Sequence, residues 1–152
     1  MVATETAEAL AKAFNKRKGF GFNVDPANLL WCLADPVVFV KKLGDRIYHV
    51  HAKDGEIVEE NMSYSGSAAT GDWRRFDRGF RFRVVGWGNV PWKRFLTALV
   101  MIKYDYVVSV EHEDPWLNRT DGIQKAINFL KPLIPEHVEE KWSRDRLDNV
   151  KV

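Results

Sequence analysis

Cysteine is nearly missing from this sequence. Cys32 stands alone among 152 residues, so no disulfide can form within the chain and nothing points to an oxidising compartment. A cytoplasmic location is the expectation. Long apolar runs are missing too: no window approaches the roughly 20 residues of a membrane span, and the opening MVATETAEALAKAFNKRKG lacks the apolar core of a signal peptide. We expect a soluble protein with no membrane partner. An excess of either charge is also absent. The 23 basic and 21 acidic residues leave a net charge of +2, and no long basic run offers the footprint of a nucleic-acid-binding surface.

What is plentiful is material for a core. Hydrophobic residues make up 45% of the chain and aromatics 12%, enough for one packed domain and too little for two of ordinary size. That domain is expected over 1–135. The remainder, 136–152, mixes both signs of charge from Lys141 onward and reads as a surface helix or solvated tail.

Ala7, Leu10, Ala11 and Phe14 recur at helical spacing within Thr4 to Lys16, the stripe of an amphipathic helix. Phe20 to Asp25 follows as a short apolar strand, stopped by Pro26. Leu29 to Leu43 reads as helical with a second start near Asp35 and Pro36, because proline is tolerated in a first turn. Arg46 to Ala52 and Tyr106 to Glu111 are rich in β-branched and aromatic residues and read as strands. Helices are expected over Trp92 to Lys103 and about Asp121 to Leu133. The alternation predicts an α/β fold with a parallel sheet. Glu56 to Val90 shows no clear period and reads as a long loop, a functional element in a compact domain. Arg78 to Val85 could add a strand within it.

Strand side chains alternate between faces. In FGFNVD, Asn23 and Asp25 share a face opposite Phe22 and Val24; in RIYHVHAKD, Ile47, His49 and His51 oppose Tyr48 and Val50; in YVVSVEHED, Val107, Ser109 and Glu111 oppose Val108 and Val110. Each strand carries an apolar face for covering helices and a polar group at its C-terminal end. Parallel α/β folds gather ligands and catalytic groups at those ends. Two carboxylates and one imidazole suit a divalent ion such as Mn²⁺, Co²⁺, Zn²⁺ or Mg²⁺. The alternative is three unrelated polar residues at strand ends. His112 alternates toward the helix layer. The six tryptophans could include a sugar-stacking platform, though packing is their usual role. GWGN, Gly86 to Asn89, precedes a helix and could hold a phosphate at its N-terminus.

NVDPANLLW, RIYHVHAKDGE, RGFRFRVVGWGNVPW and YVVSVEHED, in that order, resemble the last three or four strand-helix units of a (β/α)8 barrel of the xylose isomerase-like kind, in particular its sugar phosphate isomerases and epimerases. The likeness covers roughly Thr6 to Pro132. It implies that Asp25, His51 and Glu111 bind one divalent ion, Mn²⁺ above others, and that Glu111 is also the catalytic base. It further implies substrate contacts from Arg83 in RVVGWG, from Asn28 at the place of a common family histidine, and from His49 and Lys53. The family's fourth ligand, a glutamate on a preceding strand, has no candidate before Ala7. The expected reaction is therefore isomerisation or epimerisation of a keto-sugar or sugar phosphate through an enediolate, incomplete in this chain alone. Alternatives are a keto-sugar lyase or dehydratase of the same superfamily, or a catalytically inactive partial-barrel subunit. A superfamily endonuclease needs more histidines than the 4 present. Expected partners are the small sugar and either a second copy or a complementing barrel chain.

Overall fold

Strand-forming and helix-forming segments alternate along the chain, and the computed structural model, which describes residues 3–15 and 17–136, assembles them around a parallel sheet. The order is α1 (Thr4–Ala13), β1 (Phe22–Val24), α2 (Pro26–Trp31), α3 (Pro36–Leu43), β2 (Ile47–Ala52), β3 (Asp54–Ile57), α4 (Glu59–Ser65), β4 (Phe80–Arg83), α5 (Trp92–Met101), β5 (Val108–Val110) and α6 (Arg119–Leu130). The helix or tail expected beyond Glu136 lies outside the described residues.

The helical stretch expected from Leu29 to Leu43 is two helices. Pro26 and Pro36 each sit in a first turn, and Asp25 and Asp35 cap them, Asp35 accepting from the backbone N–H of Val37 at 2.7 Å. Each aspartate satisfies donors that a helix start leaves without partners.

β1, β2 and β5 pair in parallel in the order β1-β2-β5. Asn23 lies beside His49 and Val24 beside Val50, but Phe22 lies beside Ile47, so one residue of β2, Tyr48, is skipped. This irregularity overturns the alternation expected for β2. Ile47 does not share the face of the histidines; it is buried in the core with Val50 and Ala52, while Tyr48 is 43% exposed. Val24, Val40, Val50, Phe95 and Leu99 centre that core, where α1, α3 and α5 cover one face of the sheet. Burial contributes about 1.5–3 kcal/mol for each such side chain.

Glu56 to Val90 is not a structureless loop. β3 and β4 pair antiparallel, Gly55 opposite Phe82 and Ile57 opposite Phe80, with α4 between them. The strand expected near Arg78 to Val85 is thus real but belongs to a hairpin, not to the barrel sheet. Phe80 and Phe82 pack with Ala27, Trp31 and Trp73 in a second small core. The Trp31 indole donates to the Ser67 carbonyl at 2.6 Å, and the buried Arg78 guanidinium lies 3.8 Å over the Trp73 ring. Trp31 thereby fastens the excursion to α2, and the Arg78–Trp73 stack braces the excursion internally.

Candidate metal centre

Asp25 follows the last residue of β1 and caps α2. Its Oδ1 accepts the Asn28 backbone N–H and its Oδ2 the Asn28 side-chain amide, both at 2.9 Å. His51 comes from β2 and turns Nδ1 toward the carboxylates, 3.1 Å from Glu111 Oε1 and 3.7 Å from Asp25 Oδ2. Its other nitrogen, Nε2, meets the Asn23 side-chain amide at 2.9 Å. Glu111 sits just past β5, its backbone N–H donating to the Ala52 carbonyl at 3.0 Å and prolonging the ladder. One donor atom from each of the three residues lies within 4.8 Å of the others. An ion about 2.0–2.2 Å from each donor needs donors spaced about 3–4.5 Å apart, so the set fits a single divalent ion. Asn23 stands where a metal-binding imidazole ordinarily has its outer partner, and with Nδ1 committed to an ion the Nε2–H would need the amide turned to present Oδ1 as its acceptor.

Lys53 is the residue whose importance the strand pattern did not convey. Its side chain is 5% exposed, and its Nζ lies 3.0 Å from Asp25 Oδ2, 2.9 Å from Glu111 Oε2 and 3.4 Å from Glu113 Oε1. The ammonium also lies 4.9 Å from the centroid of the Phe82 ring. Burial alone would depress its pKa, yet the hydrogen bond to Glu111 and the nearby Asp25 charge raise it above the ordinary lysine value. Asp25, Asn28, His51, Lys53, Glu111 and Glu113 are among the residues lining a cavity of about 440 Å³.

Two expected substrate contacts fall outside that lining. His49 is engaged by Ser109, Nε2 to Oγ 2.8 Å. Arg83 pairs with Glu56 at 2.7 Å and with the buried Asp114 at 3.2 Å, and these partners hold its pKa above the usual arginine value against the pull of burial. Asn28 lines the cavity but spends its amide on Asp25. His112 packs against Gly122 of α6, as its alternation implied. Trp87 and Trp116, near Arg83, are half-exposed, whereas Trp31 and Trp92 are used in packing.

The family model described as the xylose isomerase-like TIM barrel matches residues 3–133. The chain belongs to that family. Over 119 residues it is 34% identical to the uncharacterized protein YfiH of Bacillus subtilis (strain 168), a match covering 76% of this chain and 38% of YfiH. It also resembles the crystal structure of a xylose isomerase domain protein from Planctomyces limnophilus, with a TM-score of 0.66 at 24% identity, over 87% of this chain and 44% of that one. The matches thus cover less than half the length of either relative.

Within this xylose isomerase-like barrel segment, the GWGN turn holds no room for a phosphate. Asp54 is fully buried and its carboxylate already fills the turn, accepting from the backbone N–H groups of Gly55 and Gly86 at 2.8 Å and Val90 at 3.1 Å, and from the Trp92 indole at 2.8 Å. Burial pushes its pKa up, against the lowering effect of those four donors. Gly86 has φ +90°, and a Cβ on Gly88 would strike Asp54 Oδ1. The glycines expected to cradle a phosphate therefore admit an internal carboxylate instead.

Proposed function

We propose that this chain carries the metal-binding half of an isomerase or epimerase that works on a keto-sugar or sugar phosphate through an enediolate. The convergence of Asp25, His51 and Glu111 at the C-terminal ends of three adjacent parallel strands carries the reading. A divalent ion there, Mn²⁺ by the donor set and the resemblance, would acidify the carbon between a carbonyl and its neighbouring hydroxyl by polarising their oxygens. Glu111 is one-third exposed and borders the cavity, placing a carboxylate to accept that proton. Asn28 holds Asp25 in place before any ligand arrives. Return of the proton, to the opposite face or to the neighbouring carbon, needs a second acid group. We assign it to barrel strands outside this sequence, whether they are carried by a longer form of this protein, a complementing barrel chain or another copy.

Calorimetric titration of the purified chain with Mn²⁺ tests the site, and a screen of keto-sugars and their phosphates tests the reaction. One ion per chain is expected, with Glu111→Gln weakening binding by about 100-fold, since even supporting partners of metal ligands are worth about 10–100-fold. The isolated chain is expected to turn over at least about 100-fold more slowly than with the rest of the barrel supplied, the usual worth of one general acid. Indifference of Mn²⁺ binding to Asp25→Asn, His51→Ala and Glu111→Gln alike would falsify the site. Loss of water or an alcohol from the keto-sugar identifies a lyase instead, and metal binding without turnover in any pairing identifies an inactive subunit.

A further inference from the structure

A buried ammonium in a metal-ligand cluster is chemically unusual, because it competes for the same oxygens as the ion. Asp25 caps α2 with Oδ1 and turns Oδ2 to the site, where that oxygen meets both the Asn28 side-chain amide at 2.9 Å and Lys53 Nζ at 3.0 Å. Glu111 is divided between the two: Oε1 stands beside His51 at 3.1 Å and Oε2 beside Lys53 at 2.9 Å. Glu113 adds a third carboxylate at 3.4 Å, and the Phe82 ring face closes the remaining side of the ammonium. The lysine is held from every direction, with 5% of its side chain exposed. No rearrangement of a surface side chain produces such a placement.

We propose that Lys53 is a resident counter-cation of the ligand set, holding Asp25 and Glu111 in position and sharing both carboxylates with the divalent ion, so that metal affinity is set by competition with its ammonium. The inference rests on the metal-site reading above and gives Lys53 a positioning role that the resemblance, which implies only a substrate contact, does not. Without Lys53, three carboxylates would face one another with no cation among them, which is unfavourable in a partly buried site. With Lys53, the chain keeps its ligands assembled before metal arrives. The same charge makes the site a weaker trap for the ion.

Lys53→Met, of similar length and without charge, separates the two effects in the full chain. The expected result in EDTA is a lower melting temperature than wild type, together with Mn²⁺ binding that is about tenfold tighter or more by calorimetry, and a larger rise in melting temperature on adding Mn²⁺. A merely structural lysine would lower the melting temperature and leave the affinity unchanged or weaker, and that result overturns the proposal while leaving the metal site standing. Failure of wild type to bind Mn²⁺ overturns both. If Lys53→Met does not fold, wild type labelled with ¹³C-lysine is titrated with diamagnetic Zn²⁺. The Lys53 ε-methylene resonance is expected to shift more than that of any other lysine, and an unmoved resonance in the bound protein overturns the proposal.

Discussion

Asp54 shows how much one side chain can organise. Its two oxygens take four hydrogen bonds, three from backbone groups of Gly55, Gly86 and Val90 and one from Trp92. Removing it leaves those donors buried without an acceptor, at about 1–3 kcal/mol each where no water enters. Asp54→Ala is therefore expected to destabilise the chain by on the order of 4 kcal/mol in chemical denaturation, a loss large enough to compromise folding. A change within about 0.5 kcal/mol of wild type contradicts the assignment. Sequence reading passed over Asp54 because it follows HxHxK and looks like one more strand-end carboxylate. Three of its four donors, Gly86, Val90 and Trp92, lie more than 30 positions away, in and just after a turn whose glycines suggested a different anion. The convergence of Asp25, His51 and Glu111 was legible for the opposite reason: each lies at or just past the end of a short strand, where neighbouring parallel strands bring their last polar groups together. Arg83 was placed by motif position, which carries no information about the Glu56 and Asp114 carboxylates that engage it.

Among the elements, α2 and α5 share a terminus that their sequences disguise. Leu33 and Lys103 follow these helices with φ of 57° and 59°, and each helix closes with the paired backbone bonds of a Schellman ending: Leu33 to Leu30 and Ala34 to Leu29, Lys103 to Val100 and Tyr104 to Leu99. Glycine is the residue that accepts this conformation without steric cost. Leu33→Gly, where the leucine is 63% exposed, is expected to raise stability by about 0.5–1 kcal/mol, the left-handed penalty less the entropy that glycine adds to the unfolded chain. Urea denaturation of the variant measures it, and a loss of stability contradicts the reading. The strands β1, β2 and β5 were visible in the sequence because a short apolar run stopped by Pro26 marks the first and β-branched and aromatic residues mark the other two. β3 was not: DGEI has no alternation of its own and becomes a strand because Phe80 to Arg83 lies opposite it. The register slip at Tyr48 was equally invisible, since a bulge is a property of the pair and not of either strand.

At the scale of the molecule, the parallel sheet is three strands wide, and β1 and β5 each have a bare outer edge among the described residues. Parallel strands are ordinarily covered on both faces and paired at their edges, and exposed edges recruit other chains. Association is the expected outcome. Light scattering across a concentration series should show a mass above that of one chain, and a monodisperse monomer at every concentration contradicts it. The three donors nevertheless all come from one sheet of one chain, and none waits for a neighbour to deliver it. Seating an ion and enclosing a substrate would then be separable events: an ion at this centre would depend on three strands alone, whatever forms the rest of the cavity wall, so its affinity can be read without any substrate present.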